Sequence, residues 1–208
     1  MTQASTKKEY GYDHAQLGCQ HIYLLPAVDA VIKELSPDRI FELGCGNGSV
    51  AAWLHGKNIE IKAIDVSESG VEQAKKEFPD IHFAVRSAYD DLASEYGRFP
   101  VVLSLEVVEH LFSPRDFAKN VFNLVEPGGY AVISTPYHGY FKNLALALTG
   151  KLDAHFTALW DGGHIKFWSR KTLTELLKEA GFSDIDYRYA GRVPALAKSM
   201  IAIAKKPL

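Results

Sequence analysis

Residues Ile40–Ser49 read IFELGCGNGS, and this stretch decides the fold. An apolar run reaches Glu42, passes through Gly44, Cys45, Gly46, Asn47 and Gly48, and enters a helix-like segment from Ser49 to His55. That is a strand handing the chain to a helix through a turn lined by main chain. Glycine tolerates positive φ and lets a ligand lie directly against the backbone. The first amides of the next helix lack intrahelical partners and point at the same place. A plain tight βα turn has the same appearance, so the residues downstream must decide between the two.

Downstream lies a second apolar strand, Ile59–Ile64, ending in Asp65 about twenty residues beyond the turn. At that spacing an acidic side chain can accept hydrogen bonds from both ribose hydroxyls of an adenosine ligand and exclude a 2′-phosphate. The glycines are spaced GxGxG, with Ser49 where a dinucleotide fingerprint places its last glycine, and Glu42 ends the preceding strand. Both details disfavour NAD, which stays open as an oxidoreductase alternative.

Helix and strand signals alternate along the rest of the chain, which predicts a mostly parallel α/β sheet covered by helices on both faces. A helical region from Ala15 to Leu35 is expected to be interrupted near Pro26 and closed by Ser36 and Pro37. Ser67 caps a helix from Glu68 to Phe78, and Ile81–Val85 is a third strand. Val101–Leu105 is continuously apolar, as a central strand should be, and Ser113 with Pro114 opens the next helix. Pro127, Gly128 and Gly129 turn the chain into a fifth strand, Tyr130–Ser134. After it the pattern breaks into aromatic, His and Gly residues around Leu144–Leu148, a long insert that reads as a lid. Ser169 caps a final helix ending at Gly181, and strands near Asp184–Tyr189 and Ser199–Ala204 complete the sheet. One domain of 208 residues is expected: a helical cap over 1–37, a cofactor-binding core over 38–135, a substrate insert over 136–168, and a C-terminal helix and strands over 169–208.

FELGCGNG and AIDVS resemble the first motif and the ribose-binding strand end of class I methyltransferases that use S-adenosylmethionine. PVVLSLEVVEHL (Pro100–Leu111) resembles that family's fourth strand and the loop after it, and VEPGGYAVISTP (Val125–Pro136) its fifth-strand segment. The likeness covers residues 38–136 best. It implies a Rossmann-like seven-stranded sheet and a cofactor site built from Glu42, Gly44, Cys45, Gly46, Asn47, Gly48, Asp65, Val66 and Leu105. It also implies that Ser87 and Ala88 hold the adenine, although Ser87 stands where the family usually has aspartate. Pro100 is a second departure, one that a strand start tolerates.

Glu106, Glu109 and His110 come directly after the fourth strand as ExxEH. If the segment turns helically, both carboxylates share one side with His110 adjacent, offering two hard oxygens and an imidazole to a divalent cation. The element is similar to the metal-binding element of ubiquinone-pathway O-methyltransferases and of small-RNA 2′-O-methyltransferases. In the latter a further His precedes an aromatic stretch, and HIKFWSRKT, beginning at His164, looks alike. The resemblance therefore implies Mg²⁺ on Glu106, Glu109, His110 and His164, with His110 and His164 as catalytic residues. A metal-free His110 acting as base, or a purely structural role, stays open beside it. Tyr137 and His138 are candidate substrate contacts, His155, Phe156 and Trp160 pack the insert, and Tyr10, Tyr12, His14 and His21 are candidates to close over the cofactor.

These features predict O-methylation of a small-molecule hydroxyl, with N- or C-methylation without metal, or cofactor binding without catalysis, as alternatives. Formal charge is −2, from 10 basic and 15 acidic residues in the first hundred and 13 against 10 in the rest. Phosphate tracking along a nucleic acid needs clustered Lys and Arg that this balance lacks. Cys19 and Cys45 are too few for a disulfide framework, the polar start MTQASTKKEYGYD fits no signal peptide, and no apolar run approaches a membrane span. A reduced, cytoplasmic setting is expected, and a homo-oligomer is compatible with the sequence.

Overall fold

The computed structural model describes residues 18–156 and 158–208. Arg39–Leu43 forms a strand, β1, whose alternate side chains enter two different cores: Ile40 joins one, Phe41 and Leu43 the other. The remaining strands are β2 (Glu60–Asp65), β3 (His82–Val85), β4 (Phe99–Leu105), β5 (Val125–Pro136), β6 (Ser183–Ala190) and β7 (Ser199–Lys205). They form one sheet in the order β3-β2-β1-β4-β5-β7-β6, with β7 antiparallel to both its neighbours. Strand order reverses between β1 and β4, the place where an open α/β sheet leaves a crevice beyond its carboxyl ends.

The helices are α1 (Cys19–Leu35), α2 (Ser49–His55), α3 (Glu68–Glu77), α4 (Leu92–Tyr96), α5 (Pro114–Leu124), α6 (Tyr140–Leu148), α7 (Leu152–Phe156) and α8 (Arg170–Ala180). Leu24, Val28, Val50, Leu54, Val71 and Ala74 bring α1, α2 and α3 onto one face of the sheet. Leu92, Phe117, Val121, Leu173 and Leu177 bring α4, α5 and α8 onto the other. The expected α/β sandwich with helices on both faces is what forms.

Local signals act where the sequence places them. Ser67 Oγ accepts the Gly70 amide at 3.1 Å, and Ser169 Oγ accepts that of Thr172 at 3.3 Å. Gly181 ends α8 with φ +110°. Ser113 occupies the cap position of α5 without a side-chain cap hydrogen bond, so Pro114 at the first turn carries that start.

Three expectations are corrected. α1 runs unbroken through Pro26. A proline inside a helix costs about 3 kcal/mol, whereas Leu24, Leu25, Val28, Val31 and Ile32 are all buried by the same helix, at about 1.5–3 kcal/mol each. Packing wins. β5 begins at Val125 rather than Tyr130, because Pro127–Gly129 is absorbed as an irregularity between the pairs Phe99↔Val125 and Val101↔Tyr130. The insert after β5 is partly helical, with α6 and α7 in it, and neither helix has a buried residue. Tyr10, Tyr12 and His14 lie outside the described residues.

Gly48 has φ +75°, and a Cβ there would stand 2.7 Å from Ala74 Cβ and 2.8 Å from the Phe83 ring. The residue is fixed by α3 and β3 packing against the turn, apart from any ligand. Gly48→Ala is expected to lower unfolding stability by about 2–4 kcal/mol, from left-handed strain plus overpacking. Urea denaturation without ligand measures it; a loss under about 1 kcal/mol would mean that the turn yields.

Candidate active site

The glycine turn is held by hydrogen bonds from the neighbouring strand. The Gly44 and Cys45 amides donate to Ile64 O at 2.8 and 2.9 Å. The Gly46 amide donates to Asp65 Oδ2 at 2.7 Å, and the Ser67 amide to Asp65 Oδ1 at 2.9 Å. Hydrogen bonds to a charged group are worth about 1.5–3 kcal/mol each, so the turn and the end of β2 form one rigid lip. Asn47 Oδ1 accepts the Ser49 amide at 3.2 Å, which uses one of the α2 amides expected to face a ligand. A Cβ on Gly44 (φ +87°) would lie 2.3 Å from Val107 Cγ2, so the loop after β4 also presses on this turn.

A cavity of about 1570 Å³ lies beyond these strand ends. Every residue expected at the cofactor borders it except Gly48, which is packed behind the turn. Val66 is exposed, Leu105 and Ala88 are buried, and Ser87 sits in a tight turn with its amide on Asp90 Oδ2 at 2.9 Å. Glu42 is 2% exposed, and its Oε2 has no hydrogen-bond partner among the described residues. Burial, then the charge of Asp65, pushes its carboxyl up to about 8.

The loop after β4 supplies another part of the cavity lining. Glu106 adopts φ +55°, a left-handed conformation uncommon outside glycine. Ser134 holds it there: the Glu106 amide donates to Ser134 O and Oγ at 3.1 and 3.0 Å, and Ser134 Oγ donates to Glu106 Oε1 at 2.8 Å. The helical spacing expected for Glu106 and Glu109 is therefore absent. Only a 3₁₀ turn, Val108–His110, comes next, and Glu106 lies outside it.

The groups brought together instead are Glu109, His110 and His164, each offering a ligand atom within 4.8 Å of the others. Glu109 is 1% exposed, neither of its carboxylate oxygens has a hydrogen-bond partner among the described residues, and burial followed by the charge of Glu106 raises its pKa well above normal. Its carbonyl oxygen accepts the Ile165 and Lys166 amides, both at 2.9 Å, which brings His164 into place from the distant insert. His110 Nδ1 lies 2.9 Å from Gly162 O and 3.2 Å from Gly163 O. Carbonyls only accept, so Nδ1 carries the proton and Nε2 is the acceptor nitrogen. Burial, then the charges of His110 and the residues beyond it, lowers His164 to about 4, so it is neutral at physiological pH.

Tyr137 and His138 do not border the cavity. Tyr137 packs on Tyr189, and His138 is buried among His155, Phe156 and Phe167. Trp160 does border it, edge-on to His110 at 6.0 Å and tilted toward His164 at 5.6 Å. His21 reaches the cavity from α1. Sequence reasoning passed over Tyr23, Lys142, Arg192, Lys198 and Ser199, which also line it. They come from α1, α6, the β6–β7 connection and the start of β7, and no spacing in the sequence links them.

A family model described as a methyltransferase domain matches residues 20–187. The chain is 31% identical over 125 residues to a ubiquinone biosynthesis O-methyltransferase of Caulobacter vibrioides, which is 58% of this chain and 48% of that one. It is 30% identical over 155 residues to the protein of that name from Roseobacter denitrificans, covering 71% and 61%. The chain spans about half to three-fifths of the length of these relatives. Among solved structures, the methyltransferase domain of bacterial CtHen1-CN superposes with TM-score 0.67 at 23% identity, covering 88% of this chain and 97% of that one. Magnesium protoporphyrin IX methyltransferase from Synechocystis, with bound SAH, gives 0.66 at 17% identity, covering 87% and 82%. At such identities the likeness shows the fold.

Glu42 makes a prediction about stability. Its pKa is raised in the folded protein, so its contribution is fully present below the unfolded value near 4.5 and is lost as pH rises through about 8. Glu42→Gln is expected to melt a few degrees above the parent at pH 8, with the gap closing by pH 5. Scanning calorimetry at both pH values checks this; a pH-independent difference would place the effect elsewhere.

Proposed function

This chain belongs to the methyltransferase domain family, and on that premise we propose that it transfers the methyl group of S-adenosylmethionine to a hydroxyl of a small acceptor. The observation that carries the reading is that one cavity is bordered both by the Gly44–Asp65 lip and by His110 and His164, the two imidazoles that cluster with the buried Glu109. At the lip, Asp65 would take the ribose hydroxyls, the Gly44–Gly46 main chain and the Glu42 carboxylate would receive the amino-acid end, and Ser87 and Ala88 would border the adenine. A buried Glu42 whose Oε2 has no partner among the described residues fits a cationic guest, which would supply one.

Methyl transfer is an in-line displacement in which the sulfonium charge disappears, so alignment in a dry cavity is the largest help that the protein can give. For an alcohol or phenol the added difficulty is the proton. A phenol near pKa 10 needs about 4 kcal/mol of help at neutral pH. His110 Nε2 would accept it, a role supported by the contact of Nδ1 with Gly162 O.

The cluster also fits a divalent cation. Two buried carboxylate oxygens on Glu109, without partners among the described residues, stand beside two imidazoles, and His110 gives its other N–H to a carbonyl, as metal-bound histidines do. Glu109, His110 and His164 would hold the ion, with Glu106 adding negative charge beside them. Bound there, a cation lowers the pKa of a hydroxyl that it touches. Two imidazoles suit Zn²⁺ or Fe²⁺ better than Mg²⁺, which prefers an all-oxygen shell.

Two measurements test this. Asp65→Ala is expected to weaken S-adenosylhomocysteine binding by about ten- to a hundredfold in calorimetry, through the lost charged hydrogen bonds; unchanged affinity would remove the ribose role. Electron paramagnetic resonance should detect saturable Mn²⁺ binding to the parent chain and none to Glu109→Gln, with chelation suppressing turnover. Turnover indifferent to chelator together with no Mn²⁺ site leaves His110 as a metal-free base.

A further inference from the structure

Charges of both signs line the cavity. The acids Glu42, Asp65 and Glu106 line it at the strand ends together with Arg86, which pairs with Glu95; Lys151, Lys142 on α6, and Arg192 and Lys198 on the β6–β7 connection line it as well. No ion pair to Lys142, Arg192 or Lys198 occurs among the described residues. Ion pairs that do form among the described residues include Lys33 and Lys57 with Asp29, and Arg115 with Glu179. Lys142 is half-buried, and its Nζ reaches only Lys198 O at a long 3.4 Å. Lys198 Nζ lies over the Tyr23 ring, 4.6 Å from its centroid, with Tyr23 itself lining the cavity.

We propose that the acceptor carries an oxyanion, a carboxylate or a phosphate, which Lys142, Arg192 and Lys198 bind where they line the cavity together. This deepens the methyltransferase reading and rests on it. Three cations brought together repel one another, and an arriving anion relieves the repulsion that Glu106 only partly offsets at Lys142. Burial, then the charge of Arg192, draws Lys142 down to about 8, while Glu106 opposes the shift. Leu146 and Leu196 line the cavity too, so it accepts an apolar body joined to the anion. With its anion held there, the rest of a small amphipathic acceptor lies in the same cavity as Glu106 and His110. The cations line a cavity and form no stripe along the surface, which suits a single charged group rather than a polymer backbone.

The test titrates the full chain, saturated with S-adenosylhomocysteine, with phenyl phosphate, benzoate and benzyl alcohol in calorimetry, and repeats the series without the nucleoside. At least one anion is expected to bind about tenfold or more tightly than the alcohol, with an advantage that shrinks as salt is raised. Lys142→Gln and Arg192→Gln should each remove several-fold of that advantage while leaving benzyl alcohol and S-adenosylhomocysteine affinities unchanged. Preference for phenyl phosphate assigns a phosphate, and preference for benzoate a carboxylate. Equal affinity for all three probes, no saturable anion binding, or a preference that survives in both variants overturns the proposal. Failure of the parent chain to bind S-adenosylhomocysteine while anions still bind would instead strike the methyltransferase reading.

Discussion

The hydrogen bond from the Gly46 amide to Asp65 is the contact on which the cavity depends. It ties the turn after β1 to the end of β2, and the Ser67 amide on the other carboxylate oxygen ties in the start of α3. Two charge-assisted bonds at one carboxylate fix its orientation as well as its position. The crevice edge is therefore set before any ligand arrives, and a guest meets a carboxylate whose ordering cost has already been met by folding.

The opposite principle governs the other acids. Glu42 and Glu109 are buried with oxygens that have no hydrogen-bond partner among the described residues, and Glu106 is held in a left-handed conformation by Ser134. Each is unfavourable for the chain by itself, since an unpaired buried carboxylate shifts its pKa upward to avoid carrying charge. Local violations of this kind collect where function requires them. Here all three stand at the carboxyl ends of β1 and β4, on either side of the point where strand order reverses.

The central strands and helices were legible because their causes are local. Arg39–Leu43 and Ser49–His55 lie where periodicity places them, Ser67 and Ser169 cap the helices they precede, and Asp65 ends β2. Where sequence reading went astray, a non-local term outweighed the local one. Burial along α1 overrides Pro26, and the irregular pairing of β4 with β5 absorbs Pro127–Gly129. The glycine turn shows both sides: Gly44 and Gly48 were expected for their backbone freedom, yet Val107, Ala74 and Phe83 are the neighbours that leave no room for a side chain.

By itself, the sequence determined the order of the seven strands and of α1, α2, α3, α5 and α8, the glycine turn and the acid that answers it, because strand and helix periodicity and turn chemistry are written within a few residues of one another. Tertiary structure alone decided which polar groups meet. Glu106 and Glu109 are three residues apart but do not share a helical face, whereas His110 and His164, far apart in the chain, have ring centroids 4.8 Å apart. Lys142, Arg192 and Lys198 gather because α6 and the β6–β7 connection fold over the same strand ends. Backbone hydrogen bonds such as those from Ile165 and Lys166 to Glu109 create that proximity, and no pattern of residue types along the chain encodes it.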